Sequence, residues 1–583
     1  MSVFRITKKF NSILSLHQKI RVVQLVILMI IGGFMEMASV SLILPFMEGV
    51  MDPDAFMDKW YSQIFCSWLK LDSPRMLLFT AAVLMAVIFL FKNIYLLLEY
   101  NFQYRFVYGN MLETQKSLLN CYIRKPYEFF LKADSAEIIR ILNQDTYQSF
   151  LLLSILLNIY TEIVVSGMII LTILIVAPAI TICILLVLAA LILAVIFVIK
   201  PKLVAAGIDT QNSSAGMNKW ILQSIQGIKE IRVMSKEHFF THHFERHGAV
   251  YVESLRKNYM LNVSPRFFIE AASMGSMFLV IAFLIYMGSP LEGMIPVLSV
   301  IAVGAVRLLP SISRIVSSLA SIAYIEPMLD KLVENLKNIK DSGMADAGTE
   351  ENLMQEQEEF QDKIQFDHIT YRYPDAEENI LYDACMEIKK GKSVGIIGES
   401  GAGKSTAADI LLGLLEPQQG AVLVDGADIR NYARNWNKQI GYIPQMLFML
   451  DGTIRENIAF GIARKDVSDQ DIWQALKEAA LDKFVMSLPQ GIDTKIGERG
   501  IRLSGGQRQR IGIARALYTK PAVLIFDEAT SALDNETEAE IMQSVRALMG
   551  KKTVIIIAHR LVTIEACDLV YKVSDGTISK ISG

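Results

Sequence analysis

The sequence predicts a helical membrane domain with six spans joined to an α/β domain of the P-loop class, and three observations carry that prediction. The first is length: 583 residues exceed what one compact core organises, so two or more domains are expected. The second is an uneven composition, in which 52% apolar residues average a membrane-like first half and a soluble-like second half. The third is a glycine-rich loop in the second half, Gly398-Glu399-Ser400-Gly401-Ala402-Gly403-Lys404-Ser405, set between an apolar strand and a helix. The expected boundaries are 1–336 for the membrane domain, 337–361 for a polar, acidic linker and 362–583 for the α/β domain.

Crossing a hydrocarbon core takes about 20 apolar helical residues. Such stretches lie near 22–48, 75–100, 150–176, 179–199, 267–288 and 291–312, the third and fourth separated by an Ala177-Pro178 hinge. The first run outlasts a signal-peptide core, so no cleavable leader is expected. Arg5, Lys8, Lys9, Lys19 and Arg21 precede it, and the segments 101–149 and 200–266 are rich in Lys and Arg. The positive-inside rule therefore places both termini in the cytoplasm of a plasma (inner) membrane protein, with two long inner extensions. Those extensions are polar with helical periodicity, so they are expected to continue the spans as helices and to press on a soluble domain. A net charge of −3 offers no field for nucleic acid. Five scattered cysteines without CxxC spacing predict free thiols.

Between the first two spans, Phe56, Met57, Trp60, Tyr61, Ile64, Phe65, Trp68 and Leu69 follow helical spacing. They predict one amphipathic helix, either lying at the outer membrane surface and touching a lipid-like substrate or simply packing on the helix ends. Glu36, Lys92, Arg266, Glu270 and Arg307 fall within or at the edges of spans, where charge costs about 2.5–3.5 kcal/mol at the centre. Lys92, Arg266 and Arg307 could form an anion-attracting cavity. The alternative is an Arg266–Glu270 pair, with Lys92 and Arg307 reaching for water.

In the second half, apolar strands near 394–397, 523–526 and 554–557 alternate with helical segments, the pattern of a partly parallel sheet. The glycine-rich loop lets backbone N–H groups wrap phosphates. Positions Gly398 to Thr406 are its candidate phosphate-binding residues, with Lys404 on the β and γ phosphates of ATP and Ser405 on Mg²⁺. The strand at 523–526 ends in Asp527, a magnesium ligand, and Glu528, the candidate general base. His559 follows the last of the three strands as a candidate γ-phosphate sensor. Ser504-Gly505-Gly506-Gln507 opens a helix and forms a second anion-binding end. One nucleotide does not need two such ends from one chain, so a head-to-tail dimer is expected.

With these motifs in place, 362–583 resembles the ABC ATPase family. Tyr373 looks like its adenine-stacking aromatic, Gln445 in Tyr442-Ile443-Pro444-Gln445 like the Q-loop residue that meets metal and attacking water, and Asp534 in Ser531-Ala532-Leu533-Asp534 like the D-loop. Glu498 stands where exporters carry an inter-domain coupling residue. The complete set implies two hydrolytic sites in a homodimer. The fused membrane domain is similar to type IV (B-family) exporters. Phe34-Met35-Glu36, Leu44-Pro45-Phe46, Pro265-Arg266 and Arg307-Leu308-Leu309-Pro310-Ser311 resemble lipid-linked oligosaccharide flippases of the PglK type. That resemblance implies a polyprenyl-pyrophosphate-linked oligosaccharide as substrate, with its tail on the outer helix and its pyrophosphate on Lys92, Arg266 and Arg307. Lys92 stands where an arginine is expected; lysine keeps the charge and loses the bidentate fork. Drug, lipid or peptide export, or an ATP-driven membrane sensor, are the rival readings.

Overall fold

The computed structural model describes residues 2–69, 73–176, 193, 195–286, 291–341, 360–374, 376–431, 433–529, 535–558 and 564–582. The chain divides into two compact units, Met1–Lys125 with Ala133–Ala347, and Pro126–Lys132 with Gly348–Gly583.

The described part of the first unit is helical: α1 (Ser2–Ile13), α2 (Leu16–Ser41), α3 (Ile43–Met51), α4 (Pro53–Met57), α5 (Trp60–Leu69) and α6 (Pro74–Ile123). The short α7 (Tyr127–Lys132) belongs to the second unit. The first unit resumes with α8 (Ser135–Arg140), a π-helical turn (Ile141–Asp145), α9 (Thr146–Val176), α10 (Lys200–Gln226), α11 (Ile228–Val233), α12 (Glu237–Tyr286) and α13 (Leu291–Asp341). Among the described residues three stretches are long and apolar enough to cross a membrane: Leu16–Ser39, Pro74–Ile123 and Ser135–Leu171. The fourth expected span lies largely outside the described residues, and the fifth and sixth fall within α12 and α13.

Several local expectations change. The first span, expected to run to 48, stops at Ser41 because the Pro45 ring collides with the carbonyl four residues back; α3 then restarts with proline in its first turn, where no N–H is needed. The single outer helix is two, α4 and α5, separated at Asp58-Lys59. Its apolar side chains do not share one buried face: Phe56 is buried and packs against Gly49, whereas Trp60, Ile64 and Trp68 are exposed. The first inner extension is not one helix, since α7, α8 and the π-turn interrupt it. The last helix continues to Asp341, past the expected start of the linker.

The basic residues ahead of span one also bind locally. On α1, Ile6 and Phe10 are buried in a cluster with Phe150, Tyr324 and Met328. Arg5 reaches Glu326, and Lys9 reaches Glu326 and Asp330, so α1 is docked along α13 by one apolar face and one charged edge. Lys92 corrects both readings made for it. It is 2% exposed, its Nζ lies 2.8 Å from Glu36, and it also sits over the Phe89 ring, so it neither reaches water nor offers a free charge to an anion. A buried ion removed from water needs such a partner. Arg266 and Glu270 are both exposed and do not pair with each other. The Arg307 side chain lies outside the described residues.

The second unit holds two sheets. The first is antiparallel, β2-β1-β4-β5, from β1 (Lys363–Tyr371), β2 (Leu381–Lys389), β4 (Gln419–Val424) and β5 (Ala427–Asp428). The second has the order β10-β9-β3-β8-β7-β6, from β3 (Ser393–Gly398), β6 (Ile440–Ile443), β7 (Val523–Asp527), β8 (Thr553–Ile557), β9 (Leu569–Ser574) and β10 (Thr577–Ser582). All its pairings are parallel except β9 with β10. Strands β7 and β8 are buried throughout, and alternate residues serve opposite cores. Leu524, Phe526, Val554 and Ile556 enter one apolar cluster; Val523, Ile525, Ile555 and Ile557 enter the other. Each fully buried aliphatic side chain contributes roughly 1.5–3 kcal/mol, so the carboxyl ends of these strands sit on a rigid base.

Candidate active site

The site is built where β3 and β7 end, on either side of β8. After β3 the chain turns through Gly401 (φ +82°) and Gly403 (φ +102°), a left-handed backbone that glycine adopts without a Cβ penalty, and enters α14 (Lys404–Leu411). A Cβ on Gly398 would come within 2.4 Å of the Val573 carbonyl oxygen, so β3 can lie against β9 only without a side chain there.

Lys404 is 4% exposed, and its ammonium donates to the carbonyls of Gly398 (3.1 Å) and Glu399 (2.8 Å), folded over its own loop. The same amine lies 3.9 Å from Glu528. Asp527 and Glu528 adjoin at the end of β7 but have different partners. Asp527 accepts from Ser405 Oγ (3.5 Å) and from Tyr442 (3.3 Å). Glu528 accepts from Gln445 Nε2 (2.8 Å) and donates its own N–H to the Ile557 carbonyl (3.0 Å). Its φ of +46° turns the chain sharply off the strand, a conformation of the kind that costs about 1–3 kcal/mol and is held by its surroundings. Burial pushes the Asp527 carboxyl above the usual range and the adjacent Glu528 adds to this, against hydrogen bonds from Tyr442 and Ser405. A serine hydroxyl and a carboxylate converging at this spacing are hard oxygen donors and fit Mg²⁺.

Tyr373 is placed over the start of α14: its hydroxyl meets Thr406 Oγ1 at 3.1 Å, and its ring packs edge-on to Tyr371 with centroids 5.2 Å apart. Tyr371 in turn donates to Glu128 of α7 at 3.0 Å, which attaches that helix to this unit. Ser504 caps α19 (Gly505–Tyr518), numbering α15 (Ala433–Lys438), α16 (Ile454–Ile458), α17 (Asp469–Glu478) and α18 (Asp482–Ser487) before it. The Ser504 hydroxyl accepts from the Gln507 N–H and the Gln507 side chain accepts from the Ser504 N–H, leaving Gly505 and Gly506 bare of side chains at the helix mouth. Among the described residues no hydrogen bond or ion pair joins this turn to the Gly398–Ser405 loop of the same chain. Glu498 is exposed in a short turn. His559 and Asp534 lie outside the described residues.

Two family models match this chain: the ABC transporter transmembrane region over residues 22–292, and the ABC transporter family over 381–531, a stretch that holds the P-loop, Asp527 and Glu528. The chain carries both domains of an ABC transporter. Its fold is similar to that of a bacterial Atm1-family ABC exporter with ATP bound, at a TM-score of 0.75, over 96% of this chain and 95% of that one, at 23% identity. Among sequence relatives, a putative multidrug export ATP-binding/permease protein of Bacillus subtilis is 42% identical over 219 residues, and an ATP-dependent lipid A-core flippase of Methylobacillus flagellatus is 41% identical over 216. In both, the match covers 37% of this chain and 37% of the relative. The chain thus matches its curated relatives over little more than a third of their length, in the half that holds the P-loop.

Two residues around the transporter's site escaped sequence reading. Tyr442 sits three positions before Gln445 on a buried strand, and only the pairing of β6 with β7 brings its hydroxyl to Asp527. Asp409, one turn along α14, is pushed up to about 6, first by burial and then by the Asp527 charge. A carboxyl whose folded pKa exceeds its unfolded value holds a proton longer when folded. Its favourable contribution is complete below the unfolded pKa near 4 and is lost as pH rises through 6. Asp409→Asn removes the charged form, so this substitution is expected to stabilise the ATP-binding unit by roughly 1–3 kcal/mol at pH 7.5. In thermal unfolding of the purified protein the gain should shrink as pH falls from 6 towards 4; a gain independent of pH would contradict this assignment.

Proposed function

We propose that the transporter is an ATP-driven exporter that works as a homodimer in the plasma (inner) membrane, with both termini cytoplasmic. We further propose that it moves a polyprenyl-pyrophosphate-linked oligosaccharide from the inner to the outer leaflet. The observation that carries the first part is the convergence of Lys404, Ser405, Asp527 and Glu528 at the ends of β3 and β7. In this reading the loop N–H groups and Lys404 hold the ATP phosphates, and Tyr373 stacks on adenine. Ser405, Asp527 and Gln445 hold Mg²⁺, which when bound neutralises charge developing on the phosphates. Water attacks the γ-phosphorus, Glu528 takes its proton, and the bond to the bridging oxygen breaks to release ADP, with His559 hydrogen-bonding the γ-phosphate. Since among the described residues no bond joins the Ser504–Gln507 turn to its own P-loop, in this reading the turn serves the nucleotide of the second copy, and Asp534 contributes there too. ATP then favours the closed pair because it binds across both chains.

The substrate reading is supported by the exposed stripe Trp60, Ile64 and Trp68, which suits a lipid surface, and by Arg266 exposed beside Pro265 on α12. In this reading Lys92 keeps its Glu36 partner, and Arg266 and Arg307 attract the pyrophosphate. The lipid A-core flippase among the relatives supports a lipid cargo through its ATP-binding half only. ATPase activity in proteoliposomes tests the reading. Stimulation by the lipid-linked oligosaccharide is expected in wild type and should be lost in Arg266→Ala and Arg307→Ala. Equal activity with and without the lipid in all three proteins would redirect the assignment to drug, lipid or peptide export, and hydrolysis without movement of any solute would make the protein a membrane sensor.

A further inference from the structure

Away from the nucleotide site, the β1–β2 ladder loses its register twice, between Phe366 and Ile369 and again between Ile369 and Tyr371. His368, within the first slip, and Asp383, within the second, both take a left-handed backbone, with φ of +52° and +49°. The slips break the usual alternation of side chains and bring three different donor types together on the exposed surface: an imidazole, a carboxylate and the thiol of Cys385. His368 Nδ1 lies 2.6 Å from Asp383 Oδ1 and 3.7 Å from Cys385 Sγ, and all three donors fall within 4.8 Å of one another. The thiol is free.

We propose that His368, Asp383 and Cys385 form a binding site for a borderline divalent transition metal, with Zn²⁺ the ion whose geometry fits. Zinc bonds of about 2.0–2.1 Å to imidazole and about 2.3 Å to thiolate at a tetrahedral angle put those two donors about 3.6 Å apart. The observed nitrogen–sulfur separation of 3.7 Å is within about 0.1 Å of that value. The imidazole–carboxylate distance, now that of a hydrogen bond, opens by under about 1 Å when a metal replaces the shared proton. Both of those side chains are more than half exposed and free to make that shift. An ion pair accounts for the His368–Asp383 contact, while the thiol makes two long contacts, 3.7 Å to His368 Nδ1 and 3.8 Å to the Asp383 carbonyl; a metal would engage all three donors at once. The donor set also separates this site from the magnesium site, because nitrogen and sulfur ligands select zinc-like ions over Mg²⁺. Asp367 adds further negative charge near the imidazole. A bound ion would staple β1 to β2 three residues ahead of Tyr371, on the strand that leads to Tyr373. Three protein ligands leave a fourth position open to water or to another donor.

Cobalt titration of the reduced, metal-stripped, tag-free full-length protein in detergent tests this directly. One equivalent of Co²⁺ per chain is expected to produce a thiolate-to-cobalt charge-transfer band that Zn²⁺ displaces. Cys385→Ser should abolish the band, and His368→Ala should weaken binding at least tenfold. Other cysteines and the histidines of α12 are controlled by the first variant, and ATPase activity near wild type in it verifies folding. Absence of the band in wild type, or its persistence in Cys385→Ser, would overturn the proposal.

Discussion

Glu528→Gln is expected to lower the steady-state ATPase rate by about 10²–10⁴-fold, the contribution of a positioned general base, while nucleotide binding survives. Glutamine keeps the shape of the side chain and an oxygen that still accepts from Gln445 at 2.8 Å, so the turn after β7 retains its hydrogen bond. What it lacks is a basic site for the proton of the attacking water. Lys404, which lies 3.9 Å from Glu528, is untouched and remains available to the phosphates. In the proposed homodimer, binding without turnover should hold the two copies closed on ATP. The outcome is read as trapped nucleotide in the purified variant together with the loss of phosphate release. Turnover at the wild-type rate would remove Glu528 from the chemistry.

Lys404→Ala is expected to act one step earlier, on binding. A buried ammonium that donates to two carbonyls of its own loop is poised to exchange them for phosphate oxygens. Each hydrogen bond to a charged group is worth about 1.5–3 kcal/mol. Loss of two therefore weakens ATP affinity by roughly 10²–10⁴-fold, with turnover falling in parallel at fixed ATP. A fluorescent ATP analogue measures the affinity directly. The two variants have opposite signatures, since Glu528→Gln binds without hydrolysing and Lys404→Ala scarcely binds. If both bound ATP like wild type, the phosphates would lie elsewhere.

How much of this could be read beforehand depends on the distance along the chain between interacting groups. The Gly398–Ser405 turn, the Asp527-Glu528 strand end and the Ser504–Gln507 cap are contiguous, and in each the local residues dictate local geometry: glycines where φ is positive, a capping pair three residues apart, a buried apolar run before a carboxylate. The break after Ser41 was legible in principle too, because Pro45 acts only on the turn before it. The outer helix was misread for another reason. Its helical spacing was real, but Asp58-Lys59 interrupts it and packing against Gly49 selects Phe56 over the tryptophans for burial.

Composition and periodicity therefore sufficed for the helical membrane half, the α/β half and the phosphate-binding turn, since these depend on transfer of apolar segments out of water and on backbone sterics within a few residues. Pairings between remote groups needed the folded chain. Lys92 meets Glu36, Tyr442 meets Asp527, Tyr371 meets Glu128, and His368, Asp383 and Cys385 converge across a slipped ladder. A charge or hydroxyl has no preferred partner along the sequence; it takes the one that close packing brings within about 3 Å, and the low-dielectric interior then makes that choice costly to undo.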